Sequence, residues 1–170
     1  LQTIEEYGVT FAMGAPSSME MLCRAQEKNP VDLSRLKGLV TMGAPFEKAA
    51  CERYMKVLTP NIYNGYGTTE TLWNSFLRPY DLPEHAGTAG RSCIDDEVRV
   101  VKAYDDHKAE PDEMVAHDSK ETGEIIIFCP EKTTYSYYNN PTEQEKKFYK
   151  GWMYTGEDRK DRWRPLLELL

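Results

Sequence analysis

The segment 63–70, with the sequence YNGYGTTE, combines two glycines, aromatic rings, two hydroxyls and a carboxylate just after a predicted strand. The glycines let the backbone approach a ligand closely, Tyr66 offers a flat face to a planar base, and the threonine hydroxyls can donate to phosphate oxygens. Glu70 would be repelled by phosphates unless a divalent cation lay between them, so its carboxylate is a candidate Mg²⁺ ligand. The segment therefore predicts a site for a base and phosphates. A turn whose threonines and glutamate cap a following helix is the alternative that the segment alone leaves open.

The first 85 residues alternate short apolar runs with helical patterns, which predicts parallel strands joined by crossover helices. The predicted elements are strands at 9–13, 38–42 and 61–63, a helix opened by a capping box at 17–20, and a helix from about 46 to 58 with Pro45 at its first turn. Ligands bind beyond the carboxyl ends of the strands in an open α/β sheet. This order of elements therefore places the 63–70 segment within reach of a ligand.

After about residue 86 the pattern becomes rich in strands and more acidic. The predicted elements are strands at 97–104 and 124–129, a solvated loop at 105–121, and a short helix that is capped by Asn140 and ends near Tyr149. The predicted fold class is α/β. Residues 1–85 would form part of a mainly parallel sheet with flanking helices, residues 86–158 a β-rich, barrel-like subdomain, and residues 159–170 an irregular tail.

The charge and the apolar runs exclude two classes of protein. The chain has 21 basic and 28 acidic residues, so its net charge of −7 excludes a strongly basic nucleic-acid binder. The longest apolar run, 125–129, is far shorter than the roughly 20 residues of a membrane-spanning helix, so we expect no membrane span. The three tyrosines of one acidic stretch are accordingly expected to pack rather than to stack on bases, namely Tyr135, Tyr137 and Tyr138.

The cysteines and histidines suggest no catalytic or metal centre. The four cysteines contain no C-x-x-C pair, which predicts reduced thiols in a cytoplasmic protein; they are Cys23, Cys51, Cys93 and Cys129. The three histidines lie in polar surroundings, and we expect them to face solvent without a catalytic role; they are His85, His107 and His117.

Six short motifs occur in a fixed order around the 63–70 segment. They are MGAP at 42–45, NGYGTTE at 64–70, GTAGRS at 87–92, GEII at 123–126, YYNNP at 137–141 and GWMYTG at 151–156. In this order and spacing the sequence resembles the adenylate-forming superfamily of acyl- and aryl-CoA synthetases, nonribosomal-peptide adenylation domains and luciferases. The resemblance extends over roughly residues 9–158 and corresponds to an internal part of the superfamily's large N-terminal domain.

The resemblance implies an adenine slot built from two of these motifs. One wall would be Gly43, Ala44 and Pro45. Tyr66 would stack on the other side of the base, and Asn64 and Gly65 would line its edge. This arrangement agrees with the site for a planar base that the chemistry of the 63–70 segment indicates.

The resemblance also implies the residues that act on the phosphates and the acyl group. Thr69 would hydrogen-bond the α-phosphate and Glu70 would hold Mg²⁺, which makes these two the expected catalytic residues. Gly67 would lie beside both the nucleotide and the acyl group. Trp73 would form a wall of the acyl pocket or pack in the core, and the sequence leaves both alternatives open.

The ribose site implied by the resemblance departs from the usual pattern. The acid that follows Thr-Gly binds the ribose hydroxyls in such enzymes, and here it is Glu157, where relatives usually have Asp. Asp158 could take this role through a shift of one residue. The resemblance further implies a glycine-rich phosphate loop and a mobile domain with a catalytic lysine. Neither is found in these 170 residues, so we interpret the sequence as a fragment.

For the whole enzyme the resemblance implies an ATP-dependent acid–thiol ligase with ATP, Mg²⁺ and coenzyme A as cofactors. A small-molecule carboxylic acid attacks the α-phosphorus of ATP, Mg²⁺-pyrophosphate leaves, and coenzyme A opens the mixed anhydride. The alternatives are an adenylation domain that loads a carrier protein, and a non-catalytic nucleotide-binding or structural remnant. The isolated fragment is expected to bind nucleotide weakly at best and to be inactive. Apolar surface at its truncated sheet would favour self-association.

Overall fold

The computed structural model describes residues 1–44, 46–116, 122–133 and 136–156. They divide into two compact units: Leu1–Tyr66 with Phe76–Gly90, and Gly67–Ser75 with the described residues from Arg91 onward. The predicted α/β fold class is confirmed, because the chain combines parallel strands and helices with a second, antiparallel sheet. No helix in the described ranges is long and apolar enough to cross a membrane. The predicted tail at 159–170 lies outside the described residues.

Three parallel strands form the sheet of the first unit. The elements in chain order are α1 (Gln2–Tyr7), β1 (Phe11–Gly14), α2 (Pro16–Lys28), β2 (Gly38–Met42), α3 (Lys48–Val57) and β3 (Ile62–Thr68). β2 pairs with β1 on one side and with β3 on the other. The predicted strand at 38–42 is confirmed at both ends, and the strand predicted at 9–13 begins two residues later and ends one residue later than expected.

The core of the first unit lies between this sheet and its two longer helices. Leu39 of β2 and Ile62 of β3 are opposite each other in the register, and both are fully buried. Helices α2 and α3 cover them with residues spaced three or four apart, which is the spacing of one helix face. These residues are Met19 and Cys23 of α2, Cys51 and Tyr54 of α3, and Leu58 at the C-terminal end of α3. The helical periodicity read from the sequence is therefore the pattern that the core uses.

The capping box predicted at 17–20 is wrong. Helix α2 begins at Pro16 after Ala15 as N-cap, and no side chain caps it. The Glu20 carboxylate is instead held by Arg53 at 2.9 Å and by the Tyr54 hydroxyl at 2.8 Å, so it is turned away from the N-terminus of its own helix. Pro at the first helical position has no N–H to cap, which makes this start favourable without Ser17.

The turn after the third strand leads into another strand and not into a helix. β3 continues to Thr68 and does not end at Tyr63, and three residues later the chain enters β4 (Leu72–Leu77). A connection this short joins only antiparallel strands. The alternative that the 63–70 segment caps a following helix is therefore wrong. The sheet order is completed by β5 (Arg91–Ser92), which follows β4.

The second unit contains a four-stranded antiparallel sheet in the order β6-β7-β9-β8. Its elements are β6 (Glu97–Val101), β7 (Glu124–Phe128), α4 (Pro141–Lys147), β8 (Phe148–Tyr149) and β9 (Trp152–Tyr154). Both predicted strands are confirmed, although they end one to three residues earlier than expected. The predicted cap of α4 is also confirmed, because the Asn140 side chain accepts from the Glu143 N–H at 3.2 Å. Val101, Ile126 and Tyr154 form its buried centre.

Candidate functional site

The carboxyl ends of β2 and β3 lie side by side in the first unit. Met42, the last residue of β2, is opposite Gly65 in the register, so Gly43 and Ala44 leave the sheet next to Tyr66. Gly43 has a φ of +82°, a left-handed conformation that favours glycine, and no atom lies within 4 Å of the position that a Cβ would take. The structure therefore brings the predicted adenine-slot residues of these two strands to one edge of the sheet, with open space above Gly43.

Two buried oxygens at this edge have no hydrogen-bond partner among the described residues. Thr41 of β2 and Asn64 of β3 are opposite each other, and both side chains are buried. The orphaned atoms are Thr41 Oγ1 and Asn64 Oδ1. Tyr66 follows on the same face of β3, where it is only 7% exposed. A buried polar atom without a partner costs about 1–3 kcal/mol, so this pair indicates a place where an outside group completes the hydrogen bonds.

The hairpin between β3 and β4 requires a glycine for its own packing. A Cβ at Gly67 would lie 1.6 Å from the Leu72 carbonyl oxygen, which no side chain allows. Leu72 itself has a φ of +54°, a conformation that is strained for a residue with a branched side chain. Gly67 is therefore fixed by the backbone of the hairpin, whatever further role it has toward a ligand.

Glu70 lies in the hairpin turn as a half-buried carboxylate. Burial raises the pKa of the Glu70 carboxyl, but hydrogen bonds from the hydroxyls of Tyr137 and Thr68 and from its own backbone N–H outweigh this effect. The positive charge of Lys147 acts in the same direction. The net result is a pKa below the ordinary value, which keeps the carboxylate ionised at neutral pH.

Tyr137, which is expected from the sequence to pack rather than to stack on bases, is half-buried and also contacts Glu70. Its hydroxyl donates a hydrogen bond to Glu70 Oε1. Burial and the Glu70 carboxylate raise the pKa of Tyr137 to about 12, so the phenol stays protonated and remains a donor. Its place at the start of the 137–141 motif was the one available signal, since nothing in the spacing links it to Glu70.

Two motifs of the second unit are tied together beside Lys147. Its ammonium donates to the Thr155 carbonyl oxygen at 2.5 Å, and the Gly156 N–H donates to Glu124 Oε1 at 3.0 Å. The GEII and GWMYTG motifs therefore meet at the ends of β7 and β9. A cavity of about 400 Å³ opens at this point, and Lys108 lines it with these groups.

The remaining predicted residues have simpler surroundings. Thr69 is exposed in the hairpin turn, and Trp73 is half-buried on β4. His107 is exposed and contacts Asp106 at 2.7 Å, in agreement with its predicted surface position. All four cysteines are free thiols, as expected. Three predicted nucleotide residues and one histidine lie outside the described residues, namely Pro45, Glu157, Asp158 and His117.

Several known proteins that resemble this chain are coenzyme A ligases. A long-chain-fatty-acid–CoA ligase of Escherichia coli O157:H7 is 24% identical over 157 residues, which are 92% of this chain and 26% of that protein. A 4-chlorobenzoate–CoA ligase of an Arthrobacter species is 27% identical over 155 residues, 91% of this chain and 28% of that protein. The chain therefore spans less than a third of the length of these relatives.

A solved structure with the same fold contains a nucleotide. The O-succinylbenzoate coenzyme A synthetase of Bacillus subtilis, in complex with ATP and magnesium ion, superposes with a TM-score of 0.73 at 24% identity over 91% of this chain and 30% of that chain. The sequence also matches the AMP-binding enzyme family over residues 1–138, which is most of its length. The resemblance to adenylate-forming enzymes is thus confirmed, and the chain belongs to the AMP-binding enzyme family.

Proposed function

We propose that this chain is the nucleotide-binding part of an AMP-forming ligase that activates a carboxylic acid as acyl-AMP and passes the acyl group to coenzyme A. The observation that carries the proposal is the ionised carboxylate of Glu70, held in the turn that ends β3. Tyr66 and Asn64 precede it on the same strand. The coenzyme A ligases among the relatives support the choice of acceptor.

Glu70 suits a magnesium ion that is shared with phosphates. Mg²⁺ in phosphoryl-transfer sites is usually bound by one or two carboxylates, with substrate phosphates and waters as its other ligands. In the described part of the chain, no three His, Cys, Asp or Glu side chains gather into a protein cage for a metal. A single ionised carboxylate agrees with a cation that completes its shell from ATP. When bound, the cation would neutralise charge on the phosphate chain.

The adenine base suits the edge formed by β2 and β3. The open space above Gly43 leaves room for a flat ring beside the buried Tyr66. The Asn64 Oδ1 atom, which has no partner among the described residues, can accept only from a donor such as the amino group of adenine. A guanine ring presents a carbonyl oxygen at that position of the base. This difference supports a preference for ATP over GTP.

Thr69 and Glu70 would carry the part of acyl-adenylate formation that these residues can supply. A carboxylate substrate and the α-phosphate repel each other, so the reaction depends on positioning and on neutralising charge. Thr69, exposed in the turn, would donate its hydroxyl proton to an α-phosphate oxygen. Ribose binding is assigned to Glu157 or Asp158, which directly follow the Gly156 that is held by Glu124.

The acid substrate is proposed at the level of a small carboxylic acid, with Trp73 as a wall of its pocket. A half-buried indole on β4 favours a short or flat acid, because a long acyl chain needs a deeper channel. The relatives act by name on both a long-chain fatty acid and an aryl acid. The four free thiols support a reducing compartment such as the cytoplasm.

Calorimetric titration with ATP and Mg²⁺ tests the proposed nucleotide site, with GTP as the competing nucleotide. We expect ATP to bind, GTP to bind at least about tenfold more weakly, and Tyr66→Ala to abolish the difference. Tyr63→Ala is the matched control, because Tyr63 lies on the same strand but points to the opposite face. Equal affinity for the two nucleotides, or no binding by a folded chain, would contradict the proposal and leave a scaffold without its own nucleotide site.

The role of Glu70 is tested in the full gene product that contains this chain. Glu70→Gln keeps the size of the side chain and its contact with Tyr137 but removes the charge. We expect acyl-AMP formation, followed as acid-dependent exchange of pyrophosphate into ATP, to fall at least about a hundredfold. Glu131→Gln, an exposed carboxylate in the same unit, is the control and should leave the exchange rate unchanged. An unchanged rate in Glu70→Gln would exclude this residue as the metal ligand.

A further inference from the structure

An ion pair with a buried carboxylate lies behind the hairpin that carries Glu70. The Asp96 carboxylate is 1% exposed and receives the Lys132 ammonium at 2.5 Å. Lys132 also donates to the backbone carbonyl of Trp73 on β4. Removing a charge pair from water is costly, so general stability alone does not explain why this pair is buried. The position of the pair against the backbone of the hairpin indicates a more specific role.

A chain of side-chain hydrogen bonds leads from this ion pair to Thr71 in the turn. Asn74 Nδ2 donates to Asp96 Oδ2 at 2.9 Å, and Asn74 Oδ1 accepts from the Thr71 hydroxyl at 2.6 Å. A carboxylate only accepts hydrogen bonds, so Asp96 fixes which way the Asn74 amide faces. The amide in turn fixes the Thr71 hydroxyl as a donor toward the interior. Asn74 and Thr71 are both fully buried, and no water competes for these bonds.

The chain of bonds reaches Thr68, two residues before Glu70. The hydroxyl oxygens of Thr68 and Thr71 are 2.8 Å apart. Because the Thr71 proton is directed to Asn74, the Thr68 hydroxyl donates in this contact, and the same hydroxyl helps to lower the pKa of the Glu70 carboxyl. The position of the carboxylate is thus connected through Thr68, Thr71 and Asn74 to a charge pair that the sequence places 26 residues or more away.

The backbone of the turn shows why such anchoring is needed. Leu72 has a φ of +54°, and residues in this region persist only when their surroundings determine the conformation. Its two neighbours are the ones that are held: Thr71 through Asn74, and Trp73 through the bond from Lys132. The network therefore stabilises one conformation of a turn that would otherwise relax, and with it the position of Glu70.

We infer that Thr71, Asn74, Asp96 and Lys132 are positioning residues that hold the Glu70 carboxylate in place for a divalent cation. The inference rests on the proposed function, because it requires Glu70 to be the metal ligand. Partners that orient a metal ligand typically affect metal affinity about 10- to 100-fold when they are removed. A purely structural role would lower the stability of the fold without changing the contribution of the metal to nucleotide binding.

The test compares two substitutions of Thr71 in this chain, with Mn²⁺ as the probe cation. The affinity for ATP is measured with saturating Mn²⁺ and again in EDTA, and the ratio of the two affinities gives the contribution of the metal. We expect Thr71→Val to lower this ratio about tenfold while ATP affinity in EDTA stays unchanged. Thr71→Ser, which restores the hydroxyl, should recover the ratio. Thr133→Val is the matched control, since among the described residues the Thr133 hydroxyl bonds only the Cys129 carbonyl.

A second variant covers the case in which Thr71→Val lowers the folded fraction. The double substitution Asp96→Asn with Lys132→Met removes both charges together and leaves no lone buried charge. It should lower the metal ratio in the same way. An unchanged ratio in either folded variant overturns the positioning role while nucleotide binding stands. If the unsubstituted chain gains no ATP affinity from Mn²⁺, the proposed function is overturned, and this inference with it.

Discussion

The charge on Glu70 depends on a tyrosine that lies 67 residues further along the chain. Tyr137 donates to the carboxylate, and the carboxylate in turn helps to raise the pKa of the phenol to about 12. Each group therefore stabilises the other in the protonation state that a metal site needs: an anionic ligand and a neutral donor. A carboxylate that was half-buried without such donors would gain a proton more readily and bind a cation less well.

Replacing Tyr137 by Phe should destabilise the protein in a pH-dependent way. Folding lowers the pKa of Glu70, so the stabilisation is present above the unfolded pKa of about 4.3 and is lost as the pH falls through the lower folded value. We expect Tyr137→Phe to lower the free energy of unfolding by about 1 kcal/mol at pH 7 and progressively less below pH 4. Chemical denaturation across this pH range measures the difference between the two proteins.

The neighbouring tyrosine provides the control for this measurement. Tyr138 is 92% exposed, so Tyr138→Phe should leave the free energy of unfolding unchanged at every pH. If Tyr137→Phe cost the same at pH 3.5 and at pH 7, the hydroxyl would contribute independently of the Glu70 charge, and the coupling argued above would be refuted.

At the scale of elements, the hairpin turn predicts an unusual order of stability among substitutions of Leu72. Leu72 is exposed with a φ of +54°, so its side chain contributes little burial while its backbone is strained. Asn tolerates this region and β-branched residues do not. We expect Leu72→Asn to be neutral or to raise the free energy of unfolding by up to about 1 kcal/mol, and Leu72→Val to lower it by about 1–2 kcal/mol. Urea denaturation of the three proteins gives the order.

An exposed residue with ordinary backbone serves as the reference for Leu72. Met114 forms a β-bridge with Val101 and has a negative φ. At such a position Val suits the extended backbone better than Asn, so the order of the two substitutions should reverse. The same order at both positions would show that side-chain polarity, and not the left-handed backbone of Leu72, determines the effect.

The elements that were predicted from the sequence are those whose pattern is local. Strand β2 and the Asn140 cap were confirmed, because an apolar run and an N-cap are each legible within a few residues. The hairpin after β3 was missed, because a segment with two glycines and four polar residues is typical of a loop, and its pairing with β4 is not encoded within it. The capping box failed because Arg53, 33 residues away, binds Glu20.

In the candidate site, too, local features could be predicted and long-range contacts could not. The 43–44 and 64–70 segments could be identified from residue types, since glycines, hydroxyls and a carboxylate together are typical of a nucleotide site. Tyr137 and the Asp96–Lys132 pair could not, because their importance lies in contacts between distant residues. Buried partners of this kind have ordinary residue types and ordinary spacing, and only the folded arrangement distinguishes them from residues that pack.

At the scale of the whole molecule, the parallel sheet of the first unit is covered unequally on its two faces. Helices α2 and α3 pack with Leu39 and Ile62 on one face. On the other face, Phe11 and Met13 of β1 are 57% and 63% exposed. Val40 lies opposite Met13 in the register and belongs to the same face. Parallel sheets are almost always buried on both sides, so this exposed apolar strip favours association with other apolar surface.

We therefore expect the isolated chain to self-associate through the β1 face, and Met13→Lys to weaken this association. Burial of a Met side chain is worth about 1.5–3 kcal/mol, so the dissociation constant should rise about tenfold or more. Sedimentation velocity over a concentration series measures the change. Met21→Lys is the control, because Met21 is also well exposed, at 72%, but lies on α2. Equal weakening by both substitutions would point to a general effect of added charge. A monomeric unsubstituted chain would show that the strip binds no second copy. Its exposed apolar area would then be too small to offset the entropy lost on association.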